Sequence, residues 1–136
     1  MPHMRIREAA AYLGVSDDTV RRWIDRGLLS AQADESGRMV VDGYAVAMVA
    51  REHAAPPSLP PGLRSSARNR FVGLVTDIRT DPVMAQVELQ CGPFRVVSLM
   101  SSEAVRDLGL EPGSVAVAVI KSTNVVIETE DRKGSA

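Results

Sequence analysis

Val83-Met84-Ala85-Gln86-Val87-Glu88-Leu89 sets apolar residues at every second position, Val83, Ala85, Val87 and Leu89, with Gln86 and Glu88 between them. A period of two is the spacing at which side chains share one face of a strand, so this stretch reads as a half-buried β-strand. Asp81-Pro82 before it and Cys91-Gly92-Pro93 after it are turn chemistry, joining it to strands at Phe71 to Arg79 and Phe94 to Leu99. Ser101 or Ser102 then caps a short helix whose Val105 and Leu108 face inward, and Gly109 ends it. Pro112-Gly113 opens a fourth strand over Ser114 to Ile120, and Val125 to Thr129 supplies a fifth. Five short strands with one helix between the third and the fourth predict a small closed barrel of the OB type.

Upstream the pattern changes. The spacer before the barrel carries Pro56, Pro57, Pro60 and Pro61, which remove backbone donors and favour polyproline II, so it should act as a semi-rigid strut. Ahead of it the spacing is helical, beginning at Met4: Ile6, Ala9, Ala10 and Leu13 share a face, and Gly14 stops that helix. Ser16 suits the N-cap of a second helix, with Asp17 and Asp18 at its positive end. Val20, Trp23 and Ile24 form its inner face, leaving Arg21 and Arg22 exposed, and Gly27 ends it. Leu28 to Val41 suits a hairpin turning near Asp34 to Gly37, and Asp42 caps a last helix containing Tyr44, Val46, Met48 and Val49. The expected fold is α+β in two domains. An N-terminal winged helix-turn-helix covers residues 1–53 and a Pro-rich linker 54–63. A C-terminal five-stranded OB-like β-barrel with one short helix covers 64–130, and a disordered tail 131–136.

Composition bounds the chemistry. At 136 residues each half lies near the lower size limit for a self-sufficient core, so oligomerisation would help both. Hydrophobic residues make up 45% and aromatics 4%, so the cores must be built from aliphatic side chains. No apolar run approaches the ~20 residues of a membrane span, and the N-terminus lacks a secretory layout, which predicts a cytoplasmic protein without membrane contact. Cys91 is alone, and no Cys or His stands at metal-ligand spacing from His3 or His53 in the sequence, so neither a disulfide nor a protein-ligated metal is expected. No Ser-His-Asp set or carboxylate pair is evident, so an enzyme is not expected, nor an organic cofactor. Net charge is −1, and residues 1–53 carry seven arginines against eight acids, so any DNA binding must rest on local placement and multivalency.

Two segments carry the ligand chemistry. Ser66-Ala67-Arg68-Asn69 precedes the first strand of the barrel, and Ile120-Lys121-Ser122-Thr123-Asn124 interrupts two apolar runs near its end. Serine, arginine, lysine and threonine beside exposed amides offer N–H and O–H donors with little acceptor capacity, which is what a fully ionised tetrahedral dianion requires. The plain alternative is that serines near strand ends bond local backbone and the lysine is a solvated charge. Together with Phe71-Val72-Gly73-Leu74-Val75, Val83 to Glu88, Leu108-Gly109-Leu110-Glu111-Pro112-Gly113 and Val119 to Val125, the two segments resemble a molbindin domain, the molybdate-binding module also called Mop or TOBE. The resemblance implies molybdate or tungstate held between subunits by hydrogen bonds, and a hexamer built as a trimer of dimers. Carried over by position, Ser66, Ala67, Arg68, Lys121 and Ser122 would surround the anion, with Ser101 where the family often has threonine, while Asn69 fixes the local turn. A donor-only cage also rejects hydrogen phosphate, whose proton would be left unpaired, though it does not reject sulfate on that ground.

The first half is similar to the helix-turn-helix of the MerR and excisionase families, through Ile6 to Ala10, Leu13 to Ser16, Thr19 to Ile24, Gly27-Leu28-Leu29, Gly37-Arg38 and Asp42. That resemblance implies double-stranded DNA as partner. Ser16, Thr19, Arg21 and Arg22 would face the groove or its phosphates, and Arg38 would reach the backbone from the wing. Asp34 and Glu35 stand where relatives often carry small or basic residues. The resulting expectation is a molybdate- or tungstate-responsive transcriptional regulator that oligomerises through its barrel. The alternative is a cytoplasmic molybdate storage or homeostasis protein whose first half recruits a protein.

Overall fold

The computed structural model describes residues 2–55 and 57–130. The chain divides into two compact units, Met1–Ala55 and Pro56–Ala136.

In the first unit, β1 (His3–Arg5) leads directly into α1 (Ile6–Leu13), followed by α2 (Asp17–Asp25), β2 (Ala31–Ala33), β3 (Met39–Asp42) and α3 (Gly43–His53). Gly14, at φ 70°, takes the left-handed conformation that ends α1, and its N–H donates back to Ala10 and Ala11 carbonyls. Ser16 Oγ accepts the Thr19 N–H at 3.1 Å and starts α2, while Asp42 Oδ2 accepts the Ala45 N–H at 3.0 Å and starts α3. The apolar stripes predicted for these helices converge on one core: Ile6, Ala9, Ala10, Val20, Leu29, Val41, Val46 and Val49 are buried together. Trp23 packs against that core and lies over the His53 ring, centroids 5.2 Å apart. The strands form an antiparallel sheet in the order β1-β3-β2. β1 is a correction to the sequence reading, which began the pattern at Met4: His3 already pairs with Asp42. Three residues are too short for periodicity to reveal, and only the partner strand makes them a strand.

The second unit contains β4 (Asn69–Thr80), β5 (Met84–Cys91), β6 (Phe94–Ser101), α4 (Ser102–Leu108), β7 (Val115–Ile120) and a single 3-10 turn at Ser122–Asn124. All pairings are antiparallel, in the order β6-β5-β4-β7. A register shift between Val75 and Asp77 lets β4 curl, so that its first half pairs with β7 and its second half with β5. Gly73 lies where β4 crosses closely over β5: a Cβ there would stand 2.6 Å from both Cys91 Sγ and the Gln90 carbonyl oxygen. Val75, Ala85, Val87, Leu89, Cys91 and Val105 form the core, with α4 covering one face.

Two expectations for this unit are corrected. The predicted fifth strand, Val125 to Thr129, is not one: residues 125–130 are neither helix nor strand, and Val126 and Ile127 stand 82% and 84% exposed. β6 and β7 each have one strand neighbour, so in a single chain the expected closed barrel is a curled four-stranded sheet. A strand takes its stability from ladder hydrogen bonds, and this segment finds no ladder partner among the described residues. Leu108, expected to face inward, is 67% exposed; Leu110, tied back by its N–H to the Val105 carbonyl, packs against the core instead. In the spacer, residues 57–60 are neither helix nor strand. Pro56 and the tail 131–136, for which disorder is expected, lie outside the described residues.

Candidate oxyanion site and nucleic-acid interface

The antiparallel register of β4 and β7 brings the two donor-rich segments together. Asn69 pairs with Ile120, so residues 66–68, which run into β4, lie beside Lys121 and Ser122, which leave β7. Asn69 Nδ2 donates to the Ile120 carbonyl at 3.1 Å and ties the two segments at their meeting point. Asn69 therefore has the fixing role the sequence suggested, exerted across the sheet and not within a turn. Ser66, Arg68, Lys121 and Ser122 are all exposed, as a ligand cradle requires. Ala67 departs from this: it is buried, and its N–H is already given to Ser65 Oγ at 3.0 Å. Arg70 Nη2 braces the same loop through the Ser65 carbonyl at 3.0 Å.

Ser101 lies elsewhere. It pairs with Met84, at the end of the sheet where Thr80 pairs with Ala85, whereas Asn69 and Ile120 mark the other end of β4. β4 has twelve residues, roughly 35 Å along its path at ~3.3 Å per residue. Ser101 and the Ser66–Lys121 cluster thus lie at opposite ends of β4 in one chain. The chemistry of Ser101 nonetheless suits an anion. Its Oγ accepts the Ala104 N–H at 3.0 Å as the cap of α4, which leaves its proton to give. Ser102, the other serine considered as a cap, is buried and donates its proton to the Asp81 carbonyl at 2.6 Å.

In the first unit the five predicted DNA contacts fall into two groups. Ser16 Oγ lies 3.0 Å from Thr19 Oγ1, which accepts from Arg22 Nη2 at 3.1 Å, so Ser16, Thr19 and Arg22 form one chain of bonds on the exposed side of α2. Ser16 is a capping residue first. Arg21 and Arg38 line a separate cleft of about 560 Å³, together with Arg5, Arg7, Asp17 and Asp25. Arg5 and Arg7 were missed from the sequence; their alternation in Met4-Arg5-Ile6-Arg7 was the available signal. Asp34 proves to organise the β2–β3 turn. Its Oδ1 accepts N–H groups from Ser36 at 2.8 Å and Arg38 at 2.9 Å. The Arg38 amide foremost holds its carboxyl below the usual carboxylate range. No group of three or more His, Cys, Asp and Glu placed to hold a metal ion occurs among the described residues.

Comparison with known proteins finds a match for each half, and the second half belongs to the TOBE domain family. Residues 65–127 match the TOBE domain, and residues 4–53 match a helix-turn-helix domain. Molybdenum-pterin-binding protein 3 of Clostridium pasteurianum is 41% identical over 63 residues, which is 46% of this chain and 93% of that protein. The molybdenum transport protein ModE of Herbaspirillum seropedicae is 41% identical over 69 residues, which is 50% of this chain but only 26% of ModE. Among solved structures, apo MopII from Clostridium pasteurianum is 36% identical, with a TM-score of 0.46, covering 48% of this chain and 100% of MopII.

Proposed function

We propose, from the premise that this chain belongs to the TOBE domain family through residues 65–127 and to a helix-turn-helix family through residues 4–53, that it is a molybdate- or tungstate-responsive transcriptional regulator. In this reading it acts in the cytoplasm, its first unit binds double-stranded DNA as a winged MerR-like module, and the residue 54–63 spacer joins that unit to the second. Copies associate through the second unit, as a hexamer, and the oxyanion sits where they meet. The names of the relatives, for molybdenum transport and molybdenum-pterin binding, support the ligand class. The six residues Ser66, Ala67, Arg68, Ser101, Lys121 and Ser122 include no aromatic ring to stack on a pterin, which favours the bare oxyanion.

The observation that carries this reading is the split of the donors between the two ends of β4. Ser66, Arg68, Lys121 and Ser122 are gathered at one end around the Asn69–Ile120 bond, and Ser101 is held at the other with its proton free. A cage using all of them needs two copies. The exposed valine and isoleucine of residues 125–127 and the single-partnered edges of β6 and β7 give those copies surfaces to join. Anion that binds only the assembled form stabilises it by mass action, and several weak DNA heads on one assembly gain effective concentration.

Calorimetric titration with molybdate, tungstate, sulfate and phosphate, with the particle mass measured in each state, tests the proposal. Molybdate and tungstate should bind with a stoichiometry fixed by the assembly, and phosphate should not. Indifference to both group-six oxyanions at micromolar concentration overturns it. The storage reading draws on the seven arginines and eight acids of residues 1–53. It predicts the same anion binding with no duplex retarded at moderate salt.

A further inference from the structure

We infer that the cleft lined by Arg5, Arg7, Arg21 and Arg38 is a clamp for the phosphate backbone of duplex DNA, distinct from the Thr19–Arg22 face that would meet base edges. The inference rests on the reading of the first unit as DNA-binding, and it answers the charge problem of that unit. Four of the seven arginines of residues 1–53 open into one cleft of about 560 Å³, although the segment as a whole has more acids than bases. They arrive from separate elements: Arg5 from β1, Arg7 from α1, Arg21 from α2 and Arg38 from the turn before β3. Fold geometry, and not a local basic run, assembles them.

Four arginines lining one cavity repel each other unless anions lie between them. Asp17 and Asp25 also line the cleft and offset part of that charge, leaving an excess of two positive charges in its lining, while the Asp34 carboxylate acts on Arg38 and Arg5 from outside it. Among the described residues, Arg5, Arg7 and Arg38 have no carboxylate within salt-bridge distance, and Arg21 reaches Asp18 only at 3.9 Å in an exposed pair. Such a pair is worth little and is easily exchanged for a phosphate. Guanidinium is the group suited to this task, since its planar fork can bond two phosphate oxygens at once and cannot lose its charge. Contacts of this kind set the register of a protein on the duplex without reading sequence. Arg38 is held in place for it by the Asp34 carboxylate, which accepts the Arg38 backbone N–H at 2.9 Å and leaves the side chain to the cleft.

The test uses the full chain and a fluorescently labelled random-sequence 40-bp duplex, with anisotropy followed from ~50 to ~200 mM salt. Each phosphate contact contributes about −0.9 to the slope of log K against log salt. Arg5→Ala/Arg7→Ala should reduce that slope by about 2 and weaken binding alike on unrelated sequences. Arg5→Lys/Arg7→Lys should keep most of the slope, and Arg51→Ala, on α3 outside the cleft, should leave it unchanged. If the double alanine chain fails to fold, Arg7→Ala alone should still lower the slope by about 1. An unchanged slope in the alanine variants overturns the clamp and leaves the DNA reading standing. A wild-type chain that binds no duplex even at the lowest salt overturns the DNA reading, and the clamp with it. A poly-glutamate peptide that displaces duplex at lower concentration than unlabelled DNA, and needs Arg5 and Arg7 to do so, shows that the cleft serves an acidic protein instead.

Discussion

If the second unit binds molybdate as proposed, Asn69→Ala should weaken that binding without abolishing it. The Asn69 amide bridges to the Ile120 carbonyl at 3.1 Å in a half-buried position, and this bond aligns the loop of Ser66 and Arg68 with Lys121 and Ser122. Its net worth is about 0.5–1.5 kcal/mol. Ordering that the bond no longer supplies must come from the ligand, so apparent affinity falls by the fraction of molecules still aligned. About 1 kcal/mol corresponds to roughly a fivefold rise in Kd, and the upper end of the range to about tenfold. Asn69→Asp should cost more, because it sets oxygen against oxygen and places a negative charge beside the anion. Titration calorimetry with molybdate on the three chains, with melting temperatures recorded alongside, gives both quantities. Two results would refute the reasoning. Full affinity in Asn69→Ala means that alignment does not limit binding, and complete loss in a folded Asn69→Ala means that the amide itself touches the anion.

Three further outcomes follow from the same structure. Gly73→Ala should lower the stability of the second unit by about 1–3 kcal/mol, because the new Cβ meets Cys91 Sγ and the immovable Gln90 carbonyl at 2.6 Å; circular dichroism melting should show it, and Cys91→Ala in the same chain should recover only the sulfur's share. Acid should destabilise the second unit below roughly pH 4. The Asp81 carboxylate accepts the Met84 and Val83 N–H groups, which hold its pKa below the unfolded value, so this support is present above the unfolded pKa and is lost as pH falls through the folded one; Asp81→Asn should flatten the urea-midpoint profile in that range. Val126→Asp/Ile127→Asp should shift the particle mass toward monomer in light scattering while leaving the monomer's own melting nearly unchanged, since both side chains are already exposed.

The elements that repeat a pattern within themselves were legible in the sequence. Met84 to Leu89 alternates within β5 and buries Ala85, Val87 and Leu89, although Val83, expected on the same face, lies before the strand and stands 70% exposed; Gly14, Ser16, Asp42 and Gly109 mark helix ends by the conformations and bonds they adopt. What escaped depends on partners distant along the chain. β1 becomes a strand because β3 lies beside it, and residues 125–130, apolar and alternating enough to suggest a fifth strand, have no such neighbour. Short motifs announced Ser66–Asn69 and Lys121–Ser122 as donors, but their union follows from the β4–β7 register, and the separation of Ser101 from them was invisible until that register was known. The arginine cleft was hidden for the same reason, since its four members come from four elements.

The placement of two singular side chains gives each half its own reporter. Trp23, the sole tryptophan, packs into the first unit beside His53, so its emission follows that unit alone. Cys91, the sole cysteine, is sealed in the core of the second, where burial raises its thiol pKa and keeps it protonated, so an alkylating reagent must wait for the sheet to open. Optical and chemical clocks thus run in parallel within the unlabelled chain, and oxyanion that slows the second without touching the first would be seen to act on one half only.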